Sequence, residues 1–118
     1  LVIKNKKVVK WIIETGALSR EEIRNISKRI AKIIQSNFPQ YASTVFLKTS
    51  TGYYGGLGAT VKDVKVMKSV AANLQIKASG GIVSYKDCKA MIMAGASRIG
   101  TSSALLIYNE HKTASINQ

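Results

Sequence analysis

Apolar positions along the chain switch between two periods, and each switch marks an element. From Val8 to Glu14 the run alternates, with Lys10, Ile12 and Glu14 on one face and Val9, Trp11 and Ile13 on the other, as in a strand. Ser19-Arg20-Glu21-Glu22 then has the form of a capping box, with Ser19 as N-cap and Glu22 three residues on. It opens a helix with Ile23, Ile26, Ile30, Ile33 and Ile34 as its expected inner stripe, and Pro39 helps end that region. Thr44 to Lys48 reads as a second strand, followed by a glycine-rich loop from Gly52 to Gly58.

The pattern then repeats. Thr60 with Asp63 caps a second helix, whose inner stripe is Val61, Val64, Met67, Val70 and Ala71. Leu74 to Lys77 is a short strand closed by the Gly80-Gly81 turn. Ser84 with Asp87 caps a third helix expected to bury Cys88, Met91 and Ile92, with Gly95 as its C′ glycine. Ser97 to Gly100 reads as a fourth strand, and Thr101-Ser102-Ser103 leads into a short apolar stretch, Ala104 to Ile107. Residues 1–110 are thus expected to form the folded unit and 111–118 a polar, frayed C-terminal tail. The order β-α-β-α-β-α-β, with a possible final helix, means an α/β fold with a parallel sheet. An open flavodoxin-like sheet suits a complete domain of this length. A (β/α)8 barrel needs roughly 250 residues, so four such units are half of one.

Composition narrows the function classes. With 118 residues, 46% hydrophobic and 20% charged, the chain can bury one core. No apolar run approaches a bilayer span and no signal-peptide pattern opens the chain, so a cytoplasmic location and no membrane partner are expected. One cysteine (Cys88) and one histidine (His111) exclude a disulfide framework or a Cys/His zinc site within one chain. The net charge of +12 raises nucleic-acid binding. Beyond Lys4, Lys6, Lys7 and Lys10, however, the basic residues are scattered, and no aromatic platform interleaves with them. A lysine-rich solvated surface, which also steers anionic substrates, is the expectation, with no nucleic-acid partner.

Candidate chemistry gathers at the carboxyl ends of the strands. Two strands end alike, in Phe46-Leu47-Lys48-Thr49-Ser50 and Gln75-Ile76-Lys77-Ala78-Ser79, each with a lysine before a small polar turn; Lys10 is a third strand lysine. A lysine amine must be neutral to attack a carbonyl, and desolvation or a second cation nearby lowers its pKa. Gly80-Gly81, and Gly100-Thr101-Ser102-Ser103 on the next strand, point to a phosphate, with the amides of the Ser84-capped helix aimed at the same place. No GxGxxG or P-loop pattern is present, which disfavours dinucleotides and nucleoside triphosphates.

At these residues the sequence resembles the deoxyribose-phosphate aldolase family, metal-free class I aldolases built on a TIM barrel. The resemblance rests on the segments Lys10–Gly16, Phe46–Gly52, Gly58–Thr60, Lys77–Ile82 and Gly95–Ser103. It implies that this chain is the second half, strands 5–8, of a TIM (β/α)8 barrel. It further implies reversible Schiff-base cleavage of 2-deoxy-D-ribose 5-phosphate to D-glyceraldehyde 3-phosphate and acetaldehyde, without a cofactor. By the same resemblance Lys48 is the Schiff-base lysine and Lys77 the second lysine, which perturbs the first and takes part in proton transfer. Gly52, Gly80, Gly81, Ser102 and Ser103 match phosphate-contacting positions. The loop Tyr53–Leu57 matches less closely, and the family's catalytic aspartate, on an earlier strand, has no counterpart here. Glu14 is expected to be a structural partner of an inward-facing lysine. A lone half-barrel leaves open edge strands, so either the chain is part of a longer protein or two copies pair to close eight strands. A catalytically incomplete half-barrel that only binds sugar phosphate is the alternative reading.

Overall fold

The computed structural model describes residues 2–117. Four β/α units follow one another: β1 (Val9–Ile12), α1 (Arg20–Asn37), β2 (Val45–Lys48), α2 (Val61–Val70), β3 (Gln75–Ser79), α3 (Tyr85–Ala94), β4 (Arg98–Gly100) and α4 (Ala104–Ile116). Short 3-10 turns at Thr15–Ala17 and Pro39–Thr44 complete the path. The strands form one parallel sheet in the order β1-β2-β3-β4, so each unit lies beside the one before it. Sequential parallel neighbours are the arrangement of a (β/α)8 barrel, of which these four units are half.

The expected caps are present. Ser19 and Glu22 form the reciprocal box at α1, Thr60 accepts from the Asp63 amide at α2, and Ser84 accepts from the Asp87 amide at α3. Gly95 ends α3 at φ 118, and its N–H donates to the carbonyls of Met91 and Ile92. Between sheet and helices lies one core, built from Val45, Leu47, Ile76 and Ala78 of the strands against Ile23, Ala31, Ile34, Val64, Met67 and Met91 of the helices.

Several expected burials are corrected. The face of α1 that enters the core is Ile23, Ser27, Ala31 and Ile34, whereas Ile26 and Ile33 are exposed. With Trp11, Arg29 and Ile30 they line an apolar cleft of about 310 Å³ beside β1. On α3, Ile92 is exposed and Cys88 only half-buried, while Ala94 joins Met91 inside. On α1 the side that faces α2 is covered and the side at the end of the row is not; on α3, Ile92 lies in an open cleft shared with Ala104, Ile107 and Tyr108 of α4. α4 buries no residue, leaving Leu105, Leu106 and Tyr108 exposed at the β4 edge. It also carries the helix on to Ile116, so residues 111–116 are helical rather than frayed. Among the described residues no helix is long and apolar enough to cross a membrane.

Candidate active site

Strand alternation decides what faces the concave side of the sheet. Lys48 of β2 pairs in register with Lys77 of β3, and Lys77 with Arg98 of β4; on the other side Lys48 pairs with Ile12 of β1. Lys10 lies two residues before Ile12, on the same strand face. Residues in one register row point the same way, so three cations from three strands face a common space, with Lys10 one layer below. Arg98 also stacks over the Phe46 ring, 4.5 Å from its centre.

This crowding has an electrostatic consequence. The Lys77 amine is held below its ordinary value, first by desolvation and then by the charges of Lys48, Lys10 and Arg98. Each cause disfavours the ammonium form. The lowered value favours the neutral form of the Lys77 amine.

At the carboxyl ends of the strands lies a cavity of about 460 Å³. Lys48 and Lys77 line it, together with Gly52, Gly80, Gly81 and Ser102 of the expected anion site. Thr51, Tyr53, Ser79, Val83, Gly100 and Thr101 complete most of the wall. Ser103 is not among the lining residues: it is the N-cap position of α4, and its amide donates to the Thr101 hydroxyl at 2.9 Å. The first turn of α3 is likewise committed elsewhere. The Tyr85 amide donates to the Glu110 carboxylate at 2.6 Å and the Asp87 amide to Ser84. No residue of α3 lines the cavity, and the expected anion-site residues that line it lie in the loops after β2, β3 and β4.

The small residues after each lysine are a latch. The Thr49 hydroxyl donates to the Ser79 carbonyl and accepts from the Ser79 amide, both at 3.1 Å, and the Ser79 hydroxyl donates to the Ser50 carbonyl at 2.7 Å. Thr49 is fully buried and Ser79 nearly so, which makes these bonds costly to lose. They lock the ends of β2 and β3 together one or two residues beyond the two lysines. A second tie comes from Ala59, whose amide donates to the carbonyls of Ser79 and Gly80 at 3.0 and 3.1 Å. The approach of these segments needs Gly58, because a Cβ there would stand 2.2 Å from the Gly80 oxygen. A third tie is the Thr101 hydroxyl donating to the Ile82 carbonyl at 2.6 Å.

Glu14 does not join the strand face. β1 ends at Ile12, and Glu14 sits at φ 54 in a left-handed turn. Its carboxylate accepts from the amide and hydroxyl of Thr51, so its partner is a threonine and not the inward-facing lysine expected. Sequence reasoning missed the bonding of Thr49, Ser79 and Thr51. A small hydroxyl residue one to three positions after a strand lysine was the available signal.

Four successive parallel β/α units with charged side chains facing a carboxyl-end cavity place the chain in the (β/α)8-barrel class, as half of such a barrel. By sequence and by fold it is a relative of the deoxyribose-phosphate aldolases. It is 50% identical over 106 residues to the deoxyribose-phosphate aldolase of Caldanaerobacter subterraneus, a match covering 89% of this chain and 42% of the relative. The enzyme of that name from Dictyoglomus turgidum is 48% identical over 104 residues, covering 87% of this chain and 43% of the relative. Among solved structures, an aldolase superposes with TM-score 0.72 and 38% identity over 91% of this chain and 44% of its own. The deoxyribose phosphate aldolase from Aeropyrum pernix, described as tetrameric, gives TM-score 0.69 at 32% identity over 91% of this chain and 42% of its own. The chain thus spans less than half the length of these relatives. No family model matches it.

Proposed function

We propose that this chain supplies the reacting lysines and the phosphate cradle of a Schiff-base deoxyribose-phosphate aldolase. The observation that carries the reading is the register pairing of Lys48 with Lys77 over one glycine-lined cavity. In the proposed reaction the Lys48 amine adds to the C1 aldehyde of 2-deoxy-D-ribose 5-phosphate and water leaves, forming an iminium. The C3 hydroxyl then loses its proton and the C2–C3 bond breaks, its electrons passing to the iminium. D-Glyceraldehyde 3-phosphate departs and an enamine remains. Protonation at C2 and hydrolysis return acetaldehyde and free Lys48. Lys77, with its lowered pKa, suits the exchange of these protons. Gly52, Gly80, Gly81 and Ser102 suit the phosphate, since they bring backbone and hydroxyl groups to the cavity wall; Ser103 would act on the Ser102 turn through its bond to Thr101. The chemistry needs no metal or cofactor, and its sugar-phosphate substrates belong to the cytoplasm.

Incubation with acetaldehyde and borohydride, followed by peptide mass spectrometry, tests the assignment. A two-carbon adduct on Lys48, abolished by Lys48→Ala, is the expected result. An adduct on Lys77 instead would reverse the two roles, and no adduct would refute the Schiff-base reading for this chain.

The short span relative to the aldolases favours a second reading, in which the chain binds sugar phosphate and lacks turnover unless the remaining strands are supplied, by further chain or by a second copy. A coupled assay of glyceraldehyde 3-phosphate release separates the two; turnover by the isolated chain would dismiss the second.

A further inference from the structure

The loop after β2 carries Gly52 into the cavity, yet little packs around it. A Cβ at Gly52, at Gly55 or at Gly56 would find nothing within 4 Å, and all three have positive φ. Tyr53 is 93% exposed. A segment without packed neighbours needs another source of order. The turn after β1 provides contacts at both ends of the loop. At the near end, the Glu14 carboxylate oxygens each lie 3.2 Å from the Thr51 amide, and one of them also accepts from the Thr51 hydroxyl. The Thr51 hydroxyl oxygen in turn accepts from the Tyr53 amide at 3.2 Å, which wraps the chain around Gly52. At the far end Leu57 lies over Gly16, where an added Cβ would stand 2.6 Å from the Leu57 Cβ.

Glu14 reaches Thr51 because of its own backbone. At φ 54 and ψ 64 it adopts a conformation that non-glycine residues keep only when their surroundings impose it. The impositions are visible: the Ile13 amide donates to the Lys48 carbonyl at 3.0 Å and the Thr15 amide to the Thr49 carbonyl at 2.8 Å. These bonds fasten the chain on either side of Glu14 to the segment that runs from Lys48 into the loop. Glu14 does not line the cavity, so its charge faces Thr51 rather than a bound anion.

We infer that Glu14 is a positioning residue, which through Thr51 holds the loop in the shape that presents the Gly52 amide to an anion bound against Gly80 and Gly81. This rests on the phosphate site proposed above.

The test is a titration of the isotopically labelled chain with inorganic phosphate, followed through the amide resonances of Gly52, Gly80 and Gly81. In the wild type all three are expected to shift with one midpoint. In Glu14→Gly, which removes the carboxylate and accommodates the left-handed turn, the Gly52 shift is expected to vanish and the midpoint to rise about tenfold, as for one lost hydrogen bond to a charged group. Thr51→Ser keeps the hydroxyl and is expected to titrate as wild type. A thermal melt runs alongside, because a purely structural Glu14 would lower the melting temperature and leave the Gly52 response intact. Should Glu14→Gly not fold, the isosteric Glu14→Gln carries the same comparison with a smaller rise. A Gly52 response in the Glu14 variant unchanged from wild type would overturn the inference. Absence of any wild-type response at Gly80 and Gly81 would instead refute the phosphate site, and the inference with it.

Discussion

Replacing Gly58 by alanine probes the site's construction most directly. Gly58 has no left-handed backbone to defend, so alanine brings no conformational strain of its own, and the perturbation is one methyl group. That methyl would stand 2.2 Å from the Gly80 oxygen, 2.3 Å from its carbonyl carbon and 2.8 Å from its Cα. All three are backbone atoms, which cannot rotate away. Reaching ordinary van der Waals contact requires the two segments to part by about 1 Å. The Ala59 amide, now 3.0 and 3.1 Å from the Ser79 and Gly80 carbonyls, would then lie near 4 Å, beyond hydrogen-bond reach. Overpacking costs about 1–3 kcal/mol and the lost hydrogen bond about 1 kcal/mol. A destabilisation of about 2–4 kcal/mol is expected, read from the midpoint of urea unfolding by circular dichroism. The Gly80-Gly81 turn moves with the separation, so phosphate should also bind about tenfold more weakly. Gly56→Ala is the contrast: at φ 71 with open space around it, it should cost about 1 kcal/mol and leave phosphate binding unchanged. A Gly58→Ala variant within about 0.5 kcal/mol of wild type would show that the approach of these segments does not build the site.

Two further outcomes are expected. Lys77 has a lowered pKa in the folded chain, so between that value and its unfolded value of 10.5 the unfolded state binds more protons and stability rises with pH. The cost of its charge is therefore fully present below the folded value and gone above 10.5, so Lys77→Met should raise the melting temperature by a margin that shrinks as pH climbs toward 10.5; a constant margin would contradict the electrostatic account. Ser19→Ala removes the α1 capping box and should lower stability by about 1 kcal/mol in a urea titration, whereas no change would mean the helix start is held by packing alone.

Much of the molecule was legible in the sequence because its signals are local. Three Ser/Thr-x-x-acid caps and the alternating runs between them suffice to place the elements and their order, since a cap and a pleat involve residues only a few positions apart. The same holds for Lys48, whose place at the end of β2 follows from counting along the apolar run; Lys77, expected at a strand end, falls mid-strand because β3 runs on to Ser79. Facing is a different matter. Ile26, Ile33 and Ile92 have the spacing of a buried stripe and are exposed, because burial depends on what stands beside the helix: α1 has no unit before it among the described residues, and α4 leaves an open cleft over Ile92. Only the tertiary structure lowers the Lys77 pKa, through desolvation and the charges of Lys48, Lys10 and Arg98 on three other strands. It alone showed that Thr49 and Ser79, thirty positions apart, are one latch. It moved Glu14 from the strand face to Thr51, through a left-handed turn that no periodicity encodes. Residue pattern determines what each segment can be; pKa, burial and hydrogen-bond partnership belong to pairs of segments, and exist only once the sheet has brought them together.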